Sequence, residues 1–374
     1  MTQPDRPLGV LPDTQIEEAV SAGHILPATA LHDDQIQPAS LDLRLGYRGW
    51  RVQASFLPGH GQAVADKLDK FTMHEIDLTG GAVLEKGCVY IVELMEALDL
   101  PDSLSAMANP KSSTGRLDVF TRLISDGAMA FEEVAAGYSG ALYAEISPRT
   151  FSVLVRPGSR LSQLRLRRGD TRLDDAALTQ LQLDTTLVRG DGPQGLGRVS
   201  VDDGIGLSVN LTPADGTDLI GWRARKHAGL VDVDKPASLP VDRFWEPVRT
   251  ADLVGGGLVL NPDEFYILAS REYVCVPEGF AAEMRAYDSR VGEFRADYAG
   301  FFDPGFGLES LGASMTRAVL EVRSHDVPFL IEQDQIVCRL VYEEMAGPSA
   351  QLYGDANSRS NYQAQGLKLA KHFK

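Results

Sequence analysis

The feature that most constrains this chain is that it repeats itself. Tyr90 in CVYIVELMEALDLPDSL and Tyr266 in EFYILASREYVCVPEGF stand 176 residues apart. The same offset carries Pro101 to Pro277, Glu145 of GALYAEI to Glu321 of RAVLEVR, and Leu164 to Leu340. A further pair of segments, ASLDLRLGYRGWRV from Ala39 and LSVNLTPADGTDLIGWRAR from Leu207, runs from Ser-apolar-Asp/Asn-Leu to Gly-Trp-Arg. One such match is chance; several in the same order indicate an internal duplication. With 374 residues there is room for two ordinary domains. The Gly- and Asp-rich stretch VRGDGPQGLGRVSVDDG reads as a linker, so the boundary is expected between about residues 186 and 204. The expected modules are residues 1–190 and 200–374, the second ending in a tail from about residue 350.

Each half is a series of short runs rich in Val, Ile, Tyr and Leu and bounded by Gly, Pro, Asp and Asn. Examples are CVYIVEL, GALYAEI, FSVLVRPG, FYILAS, RAVLEVR and IVCRLVY. Runs of this length and punctuation predict strands. Helical signals are few: Asp13–Gly23, with Asp13 as N-cap and Ile16, Ala19 and Val20 on one face, and DDAALTQLQL from Asp174. The expected fold class is therefore all-β with a few short helices, a sandwich or barrel in each of two tandem modules.

Several chemistries are excluded by missing motifs. There is no GxxxxGK[ST], no GxSxG, and no GxGxxG after a strand; GPQGLG at residues 192–197 lacks a strand-turn-helix context and reads as linker. None of the seven histidines is followed two positions later by Glu, and no CxxC exists, so zinc-deaminase chemistry is not expected. The net charge of −16 argues against general affinity for nucleic acid or an anionic membrane. Any anion site must then be a local cluster of donors. The longest apolar-rich run, Val89 to Leu100, is broken by Glu93, Glu96 and Asp99, too short and too charged for a membrane span. The N-terminal MTQPDRPLGV has no apolar core of a signal peptide, and Cys88, Cys275 and Cys338 are too scattered for a disulfide framework. These readings predict a cytoplasmic protein with three buried thiols.

Four elements carry chemistry. PKSSTGRL (110–117) packs Lys111, Ser112, Ser113 and Arg116 into six positions, a donor cluster suited to phosphate oxygens or simply a polar loop. AGFFDPGF (299–306) is turn chemistry around Asp303. Glu145 and Glu321 each interrupt an apolar strand. By alternation Val319, Glu321 and Arg323 share one face and Ala318, Leu320 and Val322 the other. Such a Glu is either on a solvated face or a partly desolvated acid/base. The fourth element is the polar, aromatic-bearing tail LYGDANSRSNYQAQGLKLAKHFK, which alone reads equally as a disordered terminus.

Taken in order, these elements resemble the dCTP deaminase family, whose fold is shared with trimeric dUTPases. QPASLDLRLG (37–46) is similar to its early strand signature and PKSSTGRL to its RSSxxRxG phosphate segment, with Lys111 where Arg is usual. AGFFDPGF matches its TAGFIDPGF, and SNYQAQG looks like its KYxxQ closing segment, with Asn361 in place of Lys. The resemblance implies two dUTPase-like modules, each a distorted β-barrel or jelly roll, and zinc-independent hydrolysis of dCTP to dUTP and ammonia. It implies Glu145 or Glu321 as general acid/base, with Arg116 fixing water and polarising the developing charge. Lys111, Ser112, Ser113, Arg116, Ala299, Asp303, Tyr353, Tyr362 and Gln365 are implied to bind substrate. Mg²⁺ is expected to arrive with the triphosphate, no protein metal cage is expected, and the partners are nucleotide and further copies of the chain. The flexible tail is expected to close over the ligand.

Neither half carries a full set. The N-terminal half lacks the DPG turn and a closing tail; the C-terminal half lacks SSxxR, having Ser289 and Arg290 out of register. One expectation is thus a composite site: Lys111, Ser112, Ser113 and Arg116 from the first module, Ala299, Asp303, Glu321 and the tail from the second. Unlike modules cannot alternate around a ring of three, however. If like modules trimerise, Glu145 serves with Ser112 and Arg116, and both glutamates remain candidates. A dUTPase, a bifunctional enzyme taking dCTP to dUMP, and a non-catalytic nucleotide sensor are the other readings left open.

Overall fold

The strand-forming runs become strands because their β-branched and aromatic residues can bury one or both faces of a pleated sheet. The computed structural model describes residues 7–190, 199–213, 216–286, 294–296, 300–313, 316–324, 326–355, 362–363 and 365–374. The described residues form an all-β protein with a few short helices. They divide into two compact units. One comprises Met1–Thr171, Gly229–Ser238 and Glu344–Gln351; the other comprises Arg172–Ala228, Leu239–Glu343 and Leu352–Lys374.

In the first unit, one sheet runs in the order Val119–Ser125, Ser139–Pro148, Val89–Asp99, Leu45–Val52, Thr72–Asp77, with Ile25–Pro27 added beside Val89–Asp99. A second sheet runs Glu133–Val134, Ser105–Pro110, Ser162–Arg168, Ser40–Leu43, Ile36–Gln37, with Gly9–Val10 beside Ser162–Arg168. A third, small sheet receives its outer strand from the far half of the sequence. Val231–Asp232 pairs in parallel with Val153–Val155, and Asp232 grips Arg156 through Oδ1 and Oδ2 at 2.8 and 2.9 Å. Residues 344–351 are held by Asp13, whose two carboxylate oxygens accept the Ala350 and Gln351 N–H groups at 2.8 and 2.9 Å. The expectation for Asp13 is corrected accordingly. The helix is Asp13–Ser21, its N-cap is Pro12, and the Asp13 side chain is spent on those distant amides. The Asp174 expectation holds: it caps Asp175–Thr185 by accepting the Ala177 N–H at 2.8 Å.

In the second unit, Phe265–Val274 pairs with Arg317–Ser324 on one side and Leu219–Ala224 on the other. Trp245–Arg249 lies beyond Leu219–Ala224, and Phe294–Ala296 beyond Arg317–Ser324. The offset of the sequence repeat reappears in the register of these strands. Glu145 faces Ile91 and Glu321 faces Ile267, and on the other side of each isoleucine stands a tryptophan, Trp50 or Trp222, shifted by four positions from the common offset. Tyr90 Oη accepts the Glu85 N–H at 3.0 Å, and Tyr266 Oη accepts the Asn261 N–H at 3.3 Å.

The core of the second unit contains Ala318, Leu320 and Val322 together with Leu207, Leu268, Val337 and Leu340. Cys338 is fully buried, but Cys88 and Cys275 are only partly so, against the expectation of three buried thiols. Burial pushes the Cys275 thiol up to about 11. Among the described residues, no helix is long and apolar enough to cross a membrane.

Candidate functional site

The phosphate-like segment sits in the first unit. Lys111 follows the Ser105–Pro110 strand and donates its N–H to Leu161 O at 2.9 Å. The chain then makes one helical turn, Ser112–Gly115, with Thr114 and Gly115 amides returning to Lys111 O. Ser113 and Arg116 are buried, and Arg116 is 3% exposed. The Lys111 ammonium is committed to Asp42, whose other oxygen lies 3.5 Å from Arg160. Lys111 is therefore neutralised from within its own unit, whereas the sequence offers it as a free phosphate donor. Asp42 is itself fixed by Gln35, which takes its N–H and donates to its carbonyl at 2.8 Å. The same Gln35 amide donates to Glu96.

Glu145 lies in the middle of Ser139–Pro148 and is 2% exposed. Directly across the ladder stands Arg122 of Val119–Ser125. Its Nε donates to Glu145 Oε1 at 3.1 Å and its Nη2 donates to the same oxygen. Sequence reasoning missed Arg122, because its partner lies 23 positions away and only strand register joins them.

In the second unit, Glu321 lies in the middle of Arg317–Ser324 and is 4% exposed. Of the two readings left open for this strand, the solvated face is not what the burial shows. Val319, Glu321 and Arg323 are as buried as Ala318, Leu320 and Val322, because the strand is covered on both sides. Glu321 is therefore the desolvated kind of strand carboxylate. Asp303 is buried at the head of the turn Asp303-Pro304-Gly305-Phe306. Two glycines make that turn possible. Gly305 has φ +99 with Tyr353 backbone 2.8 Å from where a Cβ would stand. Gly307 has φ +72 with Val274 O only 1.9 Å from that position.

The tail packs on this unit in its described residues. Tyr353 donates its N–H to Pro304 O at 2.8 Å and rests its ring on Phe306. Tyr362 is buried, donates its N–H to Tyr353 Oη at 3.2 Å, and accepts the Lys371 N–H at 3.2 Å. Gln365 and Arg317 exchange hydrogen bonds: Arg317 N–H to Gln365 O at 3.1 Å, and Gln365 Nε2 to Arg317 O at 3.2 Å. Gln363 makes a further contact with the turn. It accepts the Gly307 N–H at 3.2 Å and donates to Gly305 O at 3.2 Å. Ala299, Ser289 and Arg290 lie outside the described residues. Among the described residues no three His, Cys, Asp or Glu side chains gather as metal ligands.

Known proteins match both halves of the chain. The 2'-deoxycytidine 5'-triphosphate deaminase (DCD) N-terminal domain matches residues 7–170, and the C-terminal domain of the same family matches residues 174–373. A crystal structure of 2'-deoxycytidine 5'-triphosphate deaminase from Agrobacterium tumefaciens is 53% identical. It superimposes with a TM-score of 0.84, covering 91% of this chain and 100% of that one. A dCTP deaminase of Halorubrum lacusprofundi is 30% identical over 159 residues, 41% of this chain and 75% of the relative. A dUMP-forming dCTP deaminase of Methanoculleus marisnigri is 32% identical over 166 residues, 43% of this chain and 81% of the relative. With both of its halves matched in order, the chain belongs to the 2'-deoxycytidine 5'-triphosphate deaminase family.

Proposed function

We propose that this protein hydrolyses dCTP to dUTP and ammonia as a zinc-independent cytoplasmic enzyme, with Glu321 as general acid/base. One observation carries the reading: in a member of this family, a glutamate stands desolvated in the middle of a core strand, where the resemblance expects the proton-transfer group. Water adds to C4 of the cytosine while Glu321 takes its proton and passes it to N3. The second water proton then reaches the amino nitrogen by the same carboxylate, the C4–N4 bond breaks, and ammonia leaves a C4 carbonyl. A carboxylate relieved of solvent and placed within hydrogen-bond reach is suited to both transfers.

Ser112, Ser113 and Arg116 bind the triphosphate, Arg116 also steadying the developing charge at the reacting centre. Lys111 acts there through its pair with Asp42. Asp303, Ala299 and the tail residues Tyr353, Tyr362 and Gln365 hold the nucleoside part. Mg²⁺ enters on the substrate's phosphates and retains waters. We propose further that the working form is a homo-oligomer.

A second reading has a specific observation behind it, because the Methanoculleus relative is named dUMP-forming. In that case a phosphoanhydride bond is cleaved as well. The deciding assay is ammonia and nucleotide product from dCTP and Mg²⁺, for wild type and Glu321→Gln. The proposal expects dUTP with ammonia from wild type. In Glu321→Gln it expects ammonia release to fall by about 10²–10⁴-fold, the range of general acid/base contributions. Pyrophosphate and dUMP in place of dUTP establish the bifunctional reaction. Wild type without ammonia overturns the deaminase reading.

A further inference from the structure

We propose that the N-terminal counterpart of the acid/base, Glu145, is out of service because Arg122 occupies the place beside it that a planar pyrimidine would need. This rests on the deaminase reading for its meaning, and on the geometry of the first unit for its content.

Three features of the Arg122 guanidinium match what a cytosine protonated at N3 would present to a carboxylate. It is planar. It offers two N–H donors from one edge, both taken by Glu145 Oε1. It is held between aromatic rings, its carbon 3.5 Å from the Phe131 ring centre and 4.7 Å from that of Phe120. The contact with Phe131 is as close as stacked planes come, well inside the ~6 Å range of cation–π attraction. The outer end is tied as well, Nη2 donating to Ser55 Oγ at 2.9 Å.

Neither oxygen of Glu145 is presented to solvent as an open acceptor. Oε1 is committed to the guanidinium, and Oε2 is sealed from solvent with no hydrogen bond from the described residues. A general base needs a lone pair that reaches the proton it takes. An unpartnered buried carboxylate oxygen is uncommon in native proteins. Arg122 gives Nε and Nη2 bonds to Oε1 and a further Nη2 bond to Ser55, so none of these donors reaches Oε2. The N-terminal half thus carries its own internal surrogate for the base, and turnover falls to the other glutamate.

The experiment combines chemical rescue with turnover on the full chain. Arg122→Ala is expected to melt below wild type, and millimolar guanidinium chloride is expected to raise its melting temperature while equimolar sodium chloride does not. Glu145→Gln, checked as folded by circular dichroism, is expected to keep ammonia release within about threefold of wild type. Two results overturn the proposal. One is Arg122→Ala unmoved by guanidinium. The other is a folded Glu145→Gln whose ammonia release is down by about a hundredfold, the signature of a lost acid/base. If wild type releases no ammonia, the deaminase reading falls, and the guanidinium arm alone decides whether the place beside Glu145 is occupied as described.

Discussion

Substituting Glu96 by Gln tests how the first unit holds its phosphate-like segment. Arg44 and Glu96 are both fully buried, their side chains 1% and 0% exposed. Glu96 accepts Arg44 Nε at 2.7 Å, the Arg44 backbone N–H at 2.8 Å and Gln35 Nε2 at 2.8 Å. Arg44 spends its remaining donors on Thr29 Oγ1, Thr29 O and Ala30 O. Every side-chain nitrogen of Arg44 and both carboxylate oxygens of Glu96 are thus hydrogen-bonded, a condition that lets a buried pair be tolerated. Removing the negative partner leaves a guanidinium uncompensated in the core, and breaking buried pairs in this way costs about 3–5 kcal/mol. In a unit of this size about 1 kcal/mol shifts the midpoint by roughly 2–4 °C, so Glu96→Gln should lower it by about 6–20 °C. The double variant Arg44→Met/Glu96→Leu removes both charges and should recover much of that loss, because an apolar pair of similar volume is often no worse than the ions. The assay is thermal unfolding by circular dichroism with Glu96→Gln, Arg44→Met and the double variant in parallel. A loss under about 2 °C for Glu96→Gln, or a double variant as unstable as the two singles summed, refutes the reasoning.

Three other outcomes are expected. Gly307→Ala places a Cβ 1.9 Å from Val274 O at φ +72, so the turn must shift; the loss should exceed about 2 kcal/mol by urea unfolding, with dCTP turnover falling alongside. Arg156 beside Asp232 holds that carboxyl at about 2, below its ordinary 3.8. The stabilisation is therefore complete above pH 3.8 and is lost as pH falls toward 2. Discounted for the pair's partial exposure it is about 1 kcal/mol or less, and Asp232→Asn should flatten the acid limb of a stability–pH curve. Gln363→Ala gives up hydrogen bonds to Gly307 and Gly305, about 1–2 kcal/mol in all. It should raise KM for dCTP more than it lowers kcat, and hydrogen exchange at the Gly307 amide should quicken.

What could be read from the sequence was what is encoded locally or by repetition. The runs around Tyr90 and Tyr266 announce strands because β-branched and aromatic residues crowd between turn formers. The common offset alone places Glu145 and Glu321 on equivalent strands. Val64–Phe71 carried a helical signal that went unused, with Val64 and Leu68 buried one turn apart. The rest depends on register and distance. Arg122 meets Glu145 only because two strands pair in one alignment, and Lys111 meets Asp42 across 69 positions. The burial of Glu321 follows from both faces of its strand being covered, which alternation alone cannot distinguish from one. A two-residue strand such as Val231–Asp232 has no periodicity to read, so its place beside Val153–Val155 was invisible.

That short strand has a consequence for a chain still on the ribosome. When Thr171 has been made, Val153–Val155 lacks the neighbour it takes from Val231–Asp232, and Asp13 lacks the amides of Ala350 and Gln351. At roughly 5–20 residues per second, the interval until Gln351 emerges is about 10–40 s. For that time the first unit carries an unpaired edge and a carboxylate waiting for its donors, the state in which strands recruit wrong partners. Translation speed and chaperone supply should therefore govern the yield of this protein. A fragment ending near the midpoint of the chain should remain in that unfinished state for good.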